Sequence, residues 1–338
     1  MLKQLSKSIY LLVFTVAIIC ILYPLVMWAI GQLFFPFKAN GSIINGPDGK
    51  PVGSELIAQQ FTKDEYFQPR PSAASYNGSA SSSSALSVSN YALRNRVANM
   101  LGPIVKYKGG SKDGQLVGLD IELWFQKNIY QGSPNIVAQW ADLHNSLAQA
   151  WVNTDSMHTQ YVADWSKSHH KVVETFIKDN PQTPQPQPAD LAVIFFENFS
   201  KENPGKFLSV VTDTIANGKT VTLIKPVNAG TDIQSFFFDL WRQDNPNVNL
   251  QDVPGDMVTT SASGLDPHIS LQNAEFQLDR VASKWAADLK RNPNQIKQEI
   301  EQIIQKNVSA PLGGLWGEKF INVLQVNLEL RSRYGIPM

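Results

Sequence analysis

Apolar and polar positions alternate in three distinct regimes along the chain. Ile9 to Phe37 reads IYLLVFTVAIICILYPLVMWAIGQLFFPF, with no charged residue between Lys7 and Lys38. A bilayer core needs about 20 apolar residues in a helix, so this run predicts a transmembrane span. A secretory signal peptide would have a shorter apolar core and a small-x-small cleavage site. Here bulky Trp28, Leu33, Phe34, Phe35 and Phe37 follow instead, and Ala39 and Gly41 come late. Pro24, mid-span, removes a backbone donor and predicts a kink, tolerable where neighbouring helices cover the break. Cys20 reads as a small apolar residue facing lipid or a helix.

Beyond the span the pattern changes. Asn40–Gly53 is dense in turn residues and predicts a hairpin-type connection. The stretch 53–90 ends in a Ser/Ala/Gly-rich tail that could pass for a linker, yet Phe61, Tyr66, Phe67 and Tyr76 belong in a core. Asn90 predicts the N-cap of a helix through Leu101, with Leu93, Val97 and Leu101 on one face.

Residues 107–254 are Trp- and Pro-rich. GQLVGLDIELWFQ (114–126) reads as strand. Trp140, Leu143, Leu147 and Trp151, then Tyr161, Trp165, Val172 and Phe176, predict two amphipathic helices. Prolines 181, 184, 186 and 188 force an extended, non-helical stretch. A helix near 190–201, a strand 220–224 and a helix 232–243 follow. In the last third, Ser270 caps a helix 271–290 with Ala274, Leu278, Val281, Trp285 and Leu289 in one stripe. Asn292-Pro293 starts a helix that buries Ile296, Ile300, Ile303 and Ile304. Residues 321–333 fit both periods: 324, 326, 328 and 330 alternate, whereas Val323, Asn327 and Leu330 share a helix face. The fold class expected is α+β: one N-terminal transmembrane helix, then a mixed α/β extracytoplasmic domain interrupted by a mostly helical block.

Composition narrows the function classes. Lys+Arg and Asp+Glu are 29 each, so no global field points to nucleic acid. A single cysteine excludes an intrachain disulfide and a cysteine-rich metal cluster. Lys3, Lys7 and the terminal amine precede the span and only Lys38 closely follows, which places the N-terminus in the cytoplasm and the remainder outside.

Candidate chemistry fares poorly against plainer readings. Gly218-Lys219-Thr220 ends like a phosphate loop, but Asp213 stands at the first glycine position and the order is helix-then-strand, so Asn-Gly-Lys is a turn. His158, His169 and His170 with Asp155 and Asp164 lack metal-ligand spacing, and adjacent helical histidines diverge; solvated or aromatic-packed histidines are the better reading. Ser263, Asp266 and His268, in VTTSASGLDPHIS, have the residue types of a hydrolytic triad. Six residues cannot easily place a histidine between the other two, and G-x-S-x-G is absent. Gly264 for a positive φ, Asp266-Pro267 as a turn and Ser270 as a cap account for the same residues. Arg70, between two prolines, has a fixed direction, and Gln277 and Arg280 share a helix face at i, i+3. By spacing alone that pair reads as a solvated flank of the stripe, with partner binding as the alternative.

Several long strings, in order, resemble one family. YPLV…GQLFFPFKANGS, GSELIAQQFTKDEYFQPRPSAASYN, SNYAL, TTSASGLDPHIS, FQLDRVA and INVLQVNLEL resemble the C subunit of the Kdp potassium-transporting P-type ATPase, over about 8–106 and 252–333. Block 107–254 departs from it, as do Asp279, where the family often has proline, and Trp285, in a stretch usually small or basic. The resemblance divides the chain into 1–38 (N-tail and span), 39–106 (first part of the family domain), 107–254 (insertion) and 255–338 (second part). It implies an accessory subunit, needed for assembly and turnover, of a complex that imports K+ with ATP in a bacterial inner membrane. Implied partners are a channel-like K+-translocating subunit, a P-type ATP-hydrolysing subunit and membrane lipid. Its phosphorylation sequence DKTGT is absent here, so ATP and K+ are used by the complex and no catalytic, cofactor or metal residue is assigned to this chain. A chaperone-like role in ATP binding by the pump subunit is also implied. Candidate interface residues are Pro24, Arg70, Ser263, Gly264, Asp266, Gln277 and Arg280. The competing class is a free-standing, membrane-anchored periplasmic binding protein or hydrolase.

Overall fold

A computed structural model describes residues 2–46, 49–131, 135–154, 156–214, 220–314 and 317–336. It divides the chain into two compact units, one made of Met1–Ser84 with Pro254–Met338, the other of Ala85–Val253.

The first unit begins with the helix Lys3–Phe34, the one helix among the described residues long and apolar enough to cross a membrane. Its 26 residues from 9 to 34 span about 39 Å, more than a hydrocarbon core of about 30 Å. Pro24 leaves its mark as a π-helical turn at Ile18–Leu22, where the Tyr23 N–H reaches back to Ile18 O. Proline at 24 offers no N–H to the Cys20 carbonyl and its ring crowds it, so the preceding turn widens.

The expected hairpin forms from Ile43–Asn45 and Pro51–Ser54; Pro47 and Asp48 at its apex lie outside the described residues. From residue 55 to Asn90 there is neither helix nor strand. The core of this unit is built later in the chain. Helix Leu271–Leu289 packs on Pro293–Asn307, which packs on Val323–Tyr334. Ala274, Leu278, Val281, Trp285 and all four predicted isoleucines are buried, and Leu289 packs at the edge. Each helix start is capped as its sequence predicts. Ser270 Oγ accepts from Asn273 N (3.1 Å), and Asn292 Oδ1 accepts from Asn294 N (2.9 Å) ahead of Pro293.

Stretch 321–333 resolves to the helical period. A three-residue strand Phe320–Asn322 pairs with His268–Ser270, and the chain then turns into helix Val323–Tyr334. Val323, Val326, Asn327 and Leu330 are buried at i, i+3, i+4 and i+7.

The second unit departs further from the sequence reading. The strand expected over 114–126 is a helix, Gly118–Gln131. Val117, Ile121 and Phe125 are fully buried at four-residue spacing while Leu119 and Leu123 face outward, so alternation here was an accident of the i, i+2 leucines. The two helices expected over 136–176 are four: Ile136–Leu143, Asn145–Val152, Ser156–Ser168 and His170–Asp179. The breaks fall at His144 and His169, both off helical geometry, and between Val152 and Ser156.

The proline run 180–190 is non-helical, and helices Ala192–Glu202 and Thr231–Asp244 form as expected. Strand Thr220–Val227 is present and pairs antiparallel with Phe207–Thr214, a strand the sequence reading missed. The Asn217-Gly218-Lys219 turn lies outside the described residues. Trp140, fully buried, is surrounded by Phe196, Phe207, Phe236 and Phe237 at 5.1–6.0 Å between ring centroids. Helix Tyr91–Leu101, capped by Asn90 Oδ1 on Ala92 N (2.8 Å), joins this core through Ala98 and Leu101. At its end, Gly102 lets the Gln234 backbone approach so closely that a Cβ would overlap the carbonyl.

Candidate docking site

The irregular stretch 55–70 is held by side chains that act as backbone partners. Asn327 Nδ2 donates to Phe67 O (2.8 Å) and its Oδ1 accepts from Phe67 N (2.9 Å). Gln277 repeats the arrangement one residue on, with Oδ-equivalent Oε1 accepting from Gln68 N (2.8 Å) and Nε2 donating to Gln68 O (3.0 Å). Arg280 donates to Asp64 O (2.8 Å) and Tyr66 O (3.1 Å), Trp285 Nε1 to Glu65 O (2.7 Å), and Asn322 Nδ2 to Glu55 O (2.8 Å). Amide side chains thus do what a neighbouring strand would do, satisfying buried peptide groups where no sheet exists. Phe67, fully buried, is inserted into the helical core between these anchors.

This corrects the solvated-flank reading of Gln277 and Arg280. Gln277 is 2% exposed, and Arg280 Nη2 also donates to Gln277 Oε1 (2.8 Å). Burial pulls the Arg280 pKa down, against the opposing pull of Asp64.

Stretch 261–266 closes over the 72–82 loop. Gly264 has φ +70°, and a Cβ there would stand 2.8 Å from Ser82 O and 3.0 Å from Ala74 N. Only glycine combines that conformation with that approach. Ser263 O accepts from Ser82 N (3.0 Å), Ala58 N donates to Leu265 O (2.9 Å), and Gly264 O accepts from the Ser72 hydroxyl. The Ser263 hydroxyl accepts from Leu265 N (3.1 Å), a serine turn.

No triad forms. Asp266 Oδ1 accepts from His268 N and faces His268 Nδ1, each at 3.0 Å, while the Ser263 hydroxyl is occupied by its own turn. The contact with His268 holds the Asp266 carboxyl below the usual carboxylate range, and partial burial opposes it. Arg70 Nη1 lies 3.8 Å from Asp266 Oδ2, and Nη2 donates to Thr260 O (3.1 Å).

Arg70, Asp266 and His268 line one cleft of about 490 Å³ with Asp256, Lys319 and Phe320. The structure therefore brings Arg70, Ser263, Gly264 and Asp266 together at one turn. Gln277 and Arg280 stand behind them as the clamp on 64–68. Pro24 belongs to the apolar helix, with its side chain exposed.

Of the other candidate histidines, His158 lies edge-on to Trp151 (4.4 Å), His169 stacks on Trp165 (5.0 Å) and His170 is exposed. No group of three metal-ligating side chains occurs among the described residues, and Asp155 lies outside them. Sequence reasoning missed Asn322 and Lys319, and it placed Trp285 on the buried stripe without its hydrogen bond to Glu65 O. A buried amide on an apolar stripe, as at Asn327 between Val323 and Leu330, was the available signal for the clamp.

Comparison with known proteins supplies the context. The profile of the family described as "KdpC: K+-transporting ATPase, c chain" matches residues 5–121 and 233–332. The potassium-transporting ATPase KdpC subunit of Caldanaerobacter subterraneus subsp. tengcongensis is 25% identical over 329 residues, covering 97% of this chain and 94% of that protein. The KdpC subunit of Clostridium kluyveri is 23% identical over 331 residues, 98% of this chain and 94% of its own length. That of Leptospira interrogans is 51% identical over 87 residues, 26% of this chain and 45% of the relative. The family match over residues 5–121 and 233–332 covers more than half of the chain and places it in the KdpC family: it is an accessory subunit of the K+-transporting ATPase and not a catalyst by itself.

Proposed function

We propose that the chain is a membrane-anchored docking subunit. Its helix packs through the Pro24 region on a channel-like K+-translocating partner, and its first unit presents the Arg70–Asp266 cleft to that partner outside the cytoplasm. The observation that carries this reading is the 261–266 turn. It is pinned by backbone and hydroxyl contacts to the 72–82 loop, while Arg70 and Asp266 stay partly exposed beside it. Ser263 and Gly264 shape that surface, and Gln277 and Arg280 position it by holding 64–68 in place.

Lys3 and Lys7 before the span support a cytoplasmic N-terminus and external soluble units, in a bacterial inner membrane. That orientation sets the soluble part on the side opposite cytoplasmic ATP. It favours an assembly role over direct, chaperone-like contact with nucleotide on the P-type ATP-hydrolysing partner.

We read block 107–254 as an insertion into the family domain. The family profile leaves 122–232 unmatched, while two relatives align over 94% of their own lengths, which supports a block shared by part of the family. Its role in this reading is to reach further across the complex or bind another envelope component.

Co-purification of the full chain with the other subunits from detergent tests the docking role. Pulling down neither partner would refute it. Replacing 112–250 by a short linker tests the block: the truncated chain should still fold and support potassium-limited growth. Loss of growth through loss of folding would make the block structural instead.

A further inference from the structure

Helix His170–Asp179, in the second unit, is amphipathic yet buries none of its residues. Its apolar side chains, Val172, Val173, Phe176 and Ile177, all stay half-buried. The neighbouring helix Ala192–Glu202 is divided. Ala192, Phe195, Phe196 and Phe199 enter the aromatic core, whereas Val193, Ile194 and Glu197 line a groove shared with the first helix. That groove measures about 710 Å³ and is floored by Val172, Phe176, Val193 and Ile194, each half-buried. An amphipathic helix whose stripe is only half covered is short of one neighbour.

The charges of the groove are sorted along its length. His169 Nε2 contacts Glu202 Oε1 at 3.1 Å, so the first helix begins where the second ends. Lys171 and Lys201 therefore stand at that end, and Asp179 and Asp190, which flank the proline run, stand toward the other. Asp142 and Glu197 add two more carboxylates to the lining. Among the described residues Asp142, Asp179 and Glu197 make no hydrogen bond or ion pair, and Asp190 accepts from Gln187 N (2.8 Å). Neither lysine is paired with them. Four carboxylates against two lysines, with both lysines at one end, leave the far end an acidic rim on an apolar floor.

We propose that this groove receives an amphipathic basic segment of another envelope protein. Its apolar side chains lie on Val172, Phe176, Val193 and Ile194, and its Lys or Arg residues meet Asp179 and Asp190. The carboxylates set the sign of the incoming charge, and the floor requires apolar residues on the same segment. Two arguments put the partner outside the K+-transporting complex. Every groove residue falls within 122–232, which the family profile leaves unmatched, so the groove is not part of what the family's assembly shares. Membrane subunits also concentrate Lys and Arg in their cytoplasmic loops, so a basic external segment favours a soluble or peripheral protein. The assignment deepens the reading of block 107–254 as a binding element, and it rests on that reading and on the external placement.

Photo-cross-linking reads the groove in place. p-Benzoylphenylalanine is incorporated at exposed position 175, normally a groove-lining threonine, in the full chain in its native membrane. Cross-linked peptides are then identified by mass spectrometry. The expected product carries a peptide of an envelope protein outside the complex, with two or more Lys or Arg residues among apolar ones. Its yield should fall roughly five-fold in Asp179→Lys with Asp190→Lys, and should fall further as salt rises in the parent. Asp179→Asn with Asp190→Asn keeps side-chain size and should lower it several-fold. Recovery of the other subunits with each variant should match the parent, which shows that the variant has folded.

Cross-links to an acidic or uncharged peptide, to this chain or a second copy of it, or to lipid would overturn the assignment. So would an intact complex with no cross-link, or an unchanged yield in both charge variants. A basic peptide of another subunit would overturn the partner's place outside the complex while leaving the block a binding element. Failure of the parent to recover any subunit sinks the docking role instead, and the cross-link still decides the groove.

Discussion

If side-chain amides stand in for a strand, replacing one with an isosteric apolar residue should release the segment it holds. Asn327 is 2% exposed and makes both backbone bonds of fully buried Phe67. In Asn327→Leu the Phe67 N–H and C=O are left buried and unpaired. Each such group costs about 1–3 kcal/mol, so the segment should lose about 2–6 kcal/mol of local stability. At about 1.4 kcal/mol per factor of ten, amide exchange at Phe67 and Gln68 should accelerate by at least about 30-fold, up to the limit set by global opening. Hydrogen–deuterium exchange on the full chain in detergent reads this segment apart from the second unit, which a single melting curve cannot do. Gln277→Leu should act at Gln68, and the double variant less than additively, because both side chains hold one strand-like run. Exchange at Phe67 and Gln68 within about three-fold of the parent in Asn327→Leu would refute the clamp, leaving Phe67 packing alone to hold the segment.

Gly264→Ala must place a side chain at φ +70° and 2.8 Å from Ser82 O; it should destabilise the turn by more than the roughly 1–2 kcal/mol of a left-handed alanine and lower subunit recovery. Lys290 ends helix Leu271–Leu289 at φ +53°, with Arg291 N bonded to Ala286 O and Lys290 N to Ala287 O; Lys290→Gly should therefore stabilise by up to about 1 kcal/mol in thermal unfolding of the first unit. Because the His268 contact depresses the Asp266 pKa in the folded state, its stabilisation is complete above the ordinary carboxylate value near 3.8 and lost as pH falls through the lower folded value. Asp266→Asn should flatten acid-induced opening of the 261–268 peptide below about pH 4, measured by exchange. Gly102→Ala should loosen helix Tyr91–Leu101 from helix Thr231–Asp244, seen as faster exchange in 91–101 with no change in 271–289.

Legibility in the sequence followed how local the determining interaction is. Caps at Asn90, Ser270 and Asn292 act within three residues, so their helices could be placed from the sequence. The glycine turn at 264 and the apolar span were equally local. Helix Gly118–Gln131 was misread because Leu119, Ile121 and Leu123 alternate, and nothing nearby says that Leu119 and Leu123 are the exposed pair. Strand Phe207–Thr214 forms only with Thr220–Val227, so half its evidence lies elsewhere. The clamp was least visible: Asn327 meets Phe67 across 260 positions, and no window of sequence contains both. Gln277 and Arg280 were singled out, yet a buried amide and a solvated one have the same spacing on a helix.

The same long-range contacts bear on why so large a block can stand between the two halves of the first unit. Ser82 N bonds to Ser263 O (3.0 Å), and the Thr260 and Ser84 hydroxyls meet at 3.2 Å. The chain thus leaves the first unit at Ser84 and re-enters at Pro254 beside the same turn. A domain can be built from two chain segments where contacts within it bring the segment ends together, because those contacts supply the closure. The second unit has its own aromatic core around Trp140, separate from the helical core of the first. The turn's serine, glycine and aspartate are then explained by a structural demand. They fasten the ends of a discontinuous domain and, in the same few residues, orient the side chains of its cleft.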